Sequence, residues 1–526
     1  MRGFITRTIP SLSPAHSGFK WWVLGNIMIS TFMAVLDATI VNTALPKVMS
    51  SFGISVEVAQ WILTAYMLAY AIMLPTSGWI ADRFGYKRTY ATGLFVFTLF
   101  SFLCGISWNE YSLIAMRIGQ GLGGGLLQPI GMAVILREFP YEKRGLALGF
   151  WSIAAAASVS LGPMLGGYLV DNFDWHIIFT INVPVGIFCL LATWIIQREY
   201  KARQNHPFDF VGFLSVAVFL GFLLFALASG NAQWNTGGWT SDLMMLCYGL
   251  ALTGLVTFLV IELNVAHPLI NLRLLGRFNF GFTNLVIFIF GIGMFGSTFL
   301  MPLYLQDILG YTALQSGMVF LPVGILQAGV SPIAGFLSDK INPKIPIIGG
   351  IILFSISFYL NTKLTIYSEH AQIMLPLYLR GLSMGMLFTP LSSLAMRDIR
   401  IPEMAQASGL TNVTRQVGGS FGVAILQMLL AQRLTYHTVI CGAALNAKSP
   451  LFQQCLQQLR FHAVHDAGQS MLHAVSQASM LFSMHFSKQM FVTAINDDFL
   501  FSSICTLLCI IPVLMLRGKR SGKATG

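Results

Sequence analysis

The sequence predicts an all-α membrane protein with about fourteen transmembrane helices, on three observations. Of 526 residues, 55% are hydrophobic and only 10% are charged, with a mean hydropathy of +0.70. In a soluble globular chain about a quarter of the residues are charged. Continuous apolar runs of about 20 residues recur from Trp21 to Leu516, each long enough to cross a ~30 Å hydrocarbon core as a helix. Their continuity, without alternation, argues against a β-barrel. Lys and Arg, finally, collect in every second connection between the runs.

The runs fall at about 21–43, 58–80, 87–107, 110–136, 145–169, 177–196, 210–229, 243–262, 280–304, 314–337, 345–362, 371–396, 406–431 and 494–516. The charges that bound them alternate in order. A tail with Arg2, Arg7 and Lys20 precedes the first run, and Lys47 alone follows it. Arg83, Lys87 and Arg88 follow the second run, and Arg137, Lys143 and Arg144 follow the fourth. The sixth is followed by Arg198, Lys201 and Arg203, and the eighth by Arg273 and Arg277. Lys340 and Lys344 follow the tenth, Arg397 and Arg400 the twelfth, and four more basic residues the last. The short connections on the other side hold only Lys47 and Lys363. This asymmetry predicts both termini in the cytoplasm. The net charge of +11 is therefore a topology signal and gives little support to nucleic-acid binding. The first run is too long for a signal-peptide core and carries Asp37, so no cleavable leader is expected.

Two patterns recur about 260 residues apart, which indicates a duplicated half. Gly78-Trp-Ile-Ala-Asp82-Arg83-Phe-Gly85-Tyr-Lys87-Arg88 after the second run matches Gly335-Phe-Leu-Ser-Asp339-Lys340 after the tenth. Arg117-Ile-Gly-Gln120-Gly121 in the fourth matches Arg380-Gly381 in the twelfth. The predicted organisation is a tail (1–20), a six-helix half (21–196), a linker (197–209), two inserted helices (210–262) and a second linker (263–279). A second six-helix half (280–516) with a long outer loop (432–493) and a tail (517–526) completes it. Two parallel halves with a site between them near midplane is a transporter architecture.

Asp37 is the most informative residue, a carboxylate deep in the first run. A charge at such depth costs at least ~2.5 kcal/mol on insertion scales, so a functional role is the default reading and a structural ion pair the alternative. At ~1.5 Å per residue, Asp37 lies roughly 24 Å from the inner edge and Arg117 roughly 10 Å from the outer one. In a ~30 Å core these depths agree, which permits coupling directly or through Gln120. A carboxylate held between a stabilising cation and a desolvating medium changes protonation when either moves. Arg380, and Arg415 with Gln416 beside it, add two further interior cations, which leaves anionic or zwitterionic substrates open.

In the loop from Gly78 to Arg88, glycine permits a tight turn and Asp82 is expected to cap a nearby helix N-terminus, making a latch. Gly162-Pro163-Met-Leu-Gly166-Gly167 predicts a kinked helix that a neighbour approaches closely. Cys441 and Cys455 share the outer loop and are disulfide candidates if that compartment is oxidising. Leu459 to Phe491 has helix-like apolar spacing, suited to a membrane surface or a partner. The histidines there are too widely spaced for a metal site.

Together these residues resemble the major facilitator superfamily, and within it the 14-helix drug:proton antiporter branch of EmrB/QacA-type exporters. The most specific pieces are Leu36-Asp37-Ala-Thr-Ile-Val-Asn42, the Gly78–Arg88 loop, Arg117-x-x-Gln120-Gly121, the Gly162–Gly167 stretch, Trp175-His-Ile-Ile-Phe-Thr-Ile-Asn182 and Arg415-Gln416-x-Gly418-Gly419. The resemblance implies the major-facilitator fold and export driven by a proton gradient without a cofactor. In it Asp37 is the protonation site, with Arg117 in its relay. The outer loop resembles members that work with a periplasmic adaptor and an outer-membrane channel. Tyr86, His176 and Ser158 depart from the family pattern, and extra acids in the tenth and thirteenth helices are not evident, which counts against dicationic substrates. A metabolite, lipid or siderophore transporter is the alternative. A multi-pass membrane enzyme would need a nucleophile–base pair or metal cluster within the runs, and the sequence offers neither.

Overall fold

The computed structural model describes residues 18–516 apart from 201–206, 231, 233, 266–267, 341, 445–452, 455–456, 459–460 and 462–470. Every predicted run contains helix. The first half is built from α1 (Phe19–Phe52), α2 (Val56–Phe84), α3 (Tyr86–Cys104), α4 (Glu110–Glu138), α5 (Arg144–Asn172) and α6 (Asn182–Ile196). The inserted pair is α7 (Phe210–Ser229) and α8 (Asp242–Asn264). The second half comprises α9 (Phe278–Leu303), α10 (Leu321–Lys340), α11 (Lys344–Asn361), α12 (His370–Ala395), α13 (Met404–Ala444) and α14 (Met471–Leu508). Short helices Ala313–Val319 and Ile510–Met515 extend α10 and α14.

By length and composition, 11 helices among the described residues can cross a membrane, or 12 with the bent pair Val58–Met73 and Ser77–Phe84. The two further predicted crossings, α3 and α12, are helices of 19 and 26 residues with a heavier polar load. The 55° bend in α2 sits at Pro75, which cannot donate a backbone hydrogen bond. Thr76 and Ser77 donate their hydroxyls to the carbonyls of Met73 and Leu74, at 2.7 Å each, so the bend leaves those acceptors satisfied.

The basic connections gather on one face of the bundle, called here the basic face. Arg137 donates to the Ile401 carbonyl, Arg397 to the Tyr141 hydroxyl, and Arg277 pairs with Glu403 at 2.9 Å. Two seams join the halves. Along α5 and α10, a Cβ on Gly145 would lie 2.5 Å from the Gly335 carbonyl, and one on Gly335 would lie 2.1 Å from the Gly145 carbonyl. That backbone contact continues through Gly149 against Pro332 to Pro163 against Gly317. Along α2 and α13, Gly78 lies against Gln406 and Gly409 against the Leu74 carbonyl. Small residues let helices pack where lipid supplies no hydrophobic drive, and polar pairs add directionality. Asn26 on α1 donates to Thr193 on α6, and Trp151 on α5 donates to Thr31 on α1, at 2.8 and 2.9 Å.

The segment expected as a long outer loop is partly helix. α13 runs for 41 residues, roughly 60 Å, about twice the hydrocarbon thickness. It continues beyond the membrane to Ala444, and α14 begins at Met471 on the same side. The reason is a tertiary contact: Arg433 and His437, one helical turn apart, both reach Asp497 of α14, at 3.5 and 2.8 Å. That clamp holds the two extensions together. Cys441 lies on the α13 extension; its expected partner Cys455 falls outside the described residues, as do His462 and His465.

Candidate functional site: a buried carboxylate–arginine network

Asp37 sits on α1 with none of its surface exposed. Arg117 on α4 donates from Nη1 to Asp37 Oδ2 at 2.6 Å. Gln120, one turn further along α4, donates to Asp37 Oδ1 at 2.8 Å, and Asn182 at the start of α6 donates to the same oxygen at 2.8 Å. Ser101 on α3 accepts from both amides, at 3.0 and 3.1 Å, and donates to the Phe179 carbonyl. Arg117 also donates to the Gln120 side-chain oxygen and the Ile62 carbonyl, and its guanidinium lies 4.1 Å from the Tyr66 ring centroid. Four helices thus converge on one ion pair that is neutral overall and closed to water. Both carboxylate oxygens are satisfied, which a buried ion pair requires to be tolerable.

Sequence depth brought Asp37, Arg117 and Gln120 to one level, and the structure places them in contact. Asn182 closes the Trp175–Asn182 motif, which by itself gives it no role, and the sequence does not set Ser101 apart. The one sequence signal for Ser101 is a small polar residue in a Phe- and Leu-rich span. That pattern is too common to identify a ligand.

The Gly78–Arg88 turn is arranged differently from its expectation. Asp82 does not cap a helix; it accepts from the Tyr86 hydroxyl at 2.9 Å. That hydroxyl accepts from Arg137 Nη2 at 2.8 Å, and the guanidinium stacks 3.9 Å over the Tyr86 ring. Tyr86 therefore bridges acid and arginine where the family pattern has an arginine. Tyr86→Phe leaves one buried-side donor and one acceptor unmatched, so unfolding free energy should fall by about 1–3 kcal/mol. A thermal-unfolding midpoint indistinguishable from that of the parent would refute the bridge. Gly85 has φ of +99°, and a Cβ there would lie 2.2 Å from Glu199 Oε1, so only glycine fits. Glu199 caps α3 through the Lys87 amide at 3.1 Å and lies 3.7 Å from Arg88. Arg83 occupies the last turn of α2.

The helix cap expected of Asp82 is made by its counterpart in the repeat. Asp339, at the end of α10, accepts from the backbone amides of Gly145 and Leu146 at 3.0 Å each. Its carboxylate thus meets the positive end of α5, in the opposite half.

The Gly162–Gly167 stretch packs α5 on α1 one turn beyond Asp37. A Cβ on Gly162 would lie 2.1 Å from Thr39 Oγ1, and one on Gly166 2.0 Å from Thr43 Oγ1. Pro163 and Gly167 face the other half, against Gly317 and Leu314. Ser158 bonds the Phe32 carbonyl on α1 at 2.9 Å, so this departure from glycine adds a tie between α5 and α1. One stretch of α5 thus touches both the helix of Asp37 and the seam between halves.

Arg380 and Arg415 do not join this network. Arg380 donates to Thr298 at 2.7 Å. Arg415 donates to Asn412 at 3.2 Å and stacks 4.5 Å over Phe388. Gln416 reaches across to Met67 on α2, with Nε2 3.9 Å from the sulfur. Among the described residues no group of three His, Cys, Asp or Glu side chains is placed to hold a metal.

The Major Facilitator Superfamily profile matches residues 27–423. The chain is 30% identical over 490 residues to the multidrug export protein EmrB of Haemophilus influenzae, covering 93% of this chain and 94% of that one. It is 29% identical over 500 residues to the fatty acid resistance protein FarB of Neisseria gonorrhoeae, covering 94% and 95%. Among solved structures, a double-tryptophan mutant of XylE superposes with a TM-score of 0.62 at 12% identity, over 96% of this chain and 98% of that one.

Proposed function

The chain belongs to the Major Facilitator Superfamily, and on that premise we propose that it exports hydrophobic or amphipathic small molecules in exchange for protons. The observation that carries the proposal is the fully buried Asp37–Arg117 pair at 2.6 Å. A proton placed on Asp37 removes the counter-charge of Arg117. An unpaired buried guanidinium is unstable, so the four helices around it must rearrange or admit water. The proton gradient is then the energy source, and no cofactor takes part.

Alternating access supplies the rearrangement. With the basic face in the cytoplasm, as the positive-inside rule places it, the present state is closed to the cytoplasm. Its closure rests on the Gly145–Gly335 contact and the Asp339 cap on α5. Opening requires both to separate, and α5 links that seam to the helix of Asp37.

The names of the relatives, multidrug export and fatty acid resistance, support hydrophobic or amphipathic cargo. An interior arginine, Arg415, that donates to the neutral Asn412 favours uncharged or anionic molecules over dications. The extensions of α13 and α14 expose Val439, Ile440, Met480 and Met484, a surface suited to a periplasmic adaptor that leads to an outer-membrane channel. In a bacterial inner membrane these extensions face the periplasm.

Everted membrane vesicles test the direction and the coupling. An acid lumen should drive uptake of an amphipathic probe, and a protonophore should abolish it. Probe leaving the vesicles under that gradient would establish the importer reading instead.

A further inference from the structure

Asp498, on α14, is fully buried, and among the described residues neither carboxylate oxygen has a hydrogen-bond partner. It lies at the end of the bundle opposite the basic face. There Asn496, two residues earlier, donates to the Leu364 carbonyl just beyond α11, at 2.9 Å. The sequence hid it, because it stands near the start of the last apolar run and not deep within it. The charges acting on it are Asp497 and Arg433. Asp497 is already engaged by Arg433 at 3.5 Å and by His437 Nε2 at 2.8 Å. The other neighbours of α14 bring little charge. α9 has no ionisable group, and the only charge on α11, Lys344, is at its far end. Asp307, on the turn after α9, and Lys363, just beyond α11, are exposed, and the buried Tyr304 on that turn donates its hydroxyl to the Thr365 carbonyl.

A buried carboxylate with no donor and no ion pair carries its full desolvation penalty, and one bound proton removes that penalty. Beside it stands the His437–Asp497 pair, part-exposed to water. We propose that Asp498 is a second proton-binding site, in the half that lacks Asp37, filled from the outer aqueous phase through His437 and Asp497. The step adds one proton to a carboxylate oxygen of Asp498 and neutralises it; outer water is the donor, and no other bond changes. Asp37 lies in the first half and Asp498 in the second.

Infrared difference spectroscopy of the purified full-length protein tests this without substrate, and so independently of the export reading. The wild type should show a protonated-carboxyl C=O band near neutral pH that is lost on alkaline titration. Asp498→Asn should lack that band, and Asp37→Asn should keep it. His437→Gln should leave the band but slow its appearance after an acid jump. If Asp498→Asn folds poorly, Asp498→Leu, which suits an apolar site, serves in its place. A wild type with no such band, or a band unchanged in the Asp498 variants, would overturn the proposal.

Discussion

Asp37→Asn should abolish proton-driven transport while leaving the protein folded in the membrane. The amide matches the carboxylate in shape and still accepts from Gln120 or Asn182. Arg117 keeps the Ile62 carbonyl, the Gln120 oxygen and the Tyr66 ring. What it loses is its counter-ion, and breaking a buried pair from one side costs ~3–5 kcal/mol. The measurement is probe uptake into everted vesicles with and without an imposed pH gradient. Gradient-driven uptake should vanish, while exchange of labelled for unlabelled probe should persist, because exchange requires no net proton movement. A second variant separates coupling from stability. Asp37→Asn combined with Arg117→Leu removes both buried charges, so thermal stability should recover and proton-driven uptake should not. Undiminished gradient-driven uptake in Asp37→Asn would remove Asp37 from the mechanism.

Gly335→Val should be the most damaging substitution on the seam. The Cβ alone would lie 2.1 Å from the Gly145 carbonyl, and that obstacle is backbone with no rotamer to relieve it. Overpacking of a close contact costs about 1–3 kcal/mol, and each 1.4 kcal/mol is tenfold in a conformational equilibrium. The state closed at the basic face should lose roughly five- to a hundred-fold in population relative to the open one. Separation of α5 from α10 also breaks the Asp339 bonds to Gly145 and Leu146, so the loss is cooperative. A reporter cysteine at Ser331, which is fully buried where α10 meets Gly149, reads this directly in a cysteine-free background. Its labelling by a water-soluble thiol reagent should rise sharply in Gly335→Val, and transport should fall. Unchanged labelling would mean that this seam does not control access.

The fold was legible because the bilayer restricts the choices. A spanning segment must satisfy its own backbone, so twenty apolar residues mean a helix, and basic loops mark one side. The duplicated Asp82 and Asp339 turns were legible as a repeat, yet not their division of labour. Asp339 caps α5 across the interface, whereas Asp82 bonds Tyr86 within its own half. Helix packing decides which acid meets an N-terminus, and a repeated motif cannot encode that. Likewise the extent of α13 and α14 was missed, because Asp497 ties them together from α14 while hydropathy looks along only one segment.

By itself, the sequence determined that this is a multi-pass helical membrane protein with a costly acid in its first helix and an arginine, Arg117, at matching depth. Hydropathy and charge act locally along the chain, so those facts can be read residue by residue. The tertiary structure alone decided the partners. It brought Asn182 and Ser101 to Asp37, gave Asp339 the α5 N-terminus, and left Asp498 buried with no donor among the described residues. Each is a contact, or the lack of one, between segments far apart in sequence. Their energies depend on angstrom distances that only the packed bundle sets.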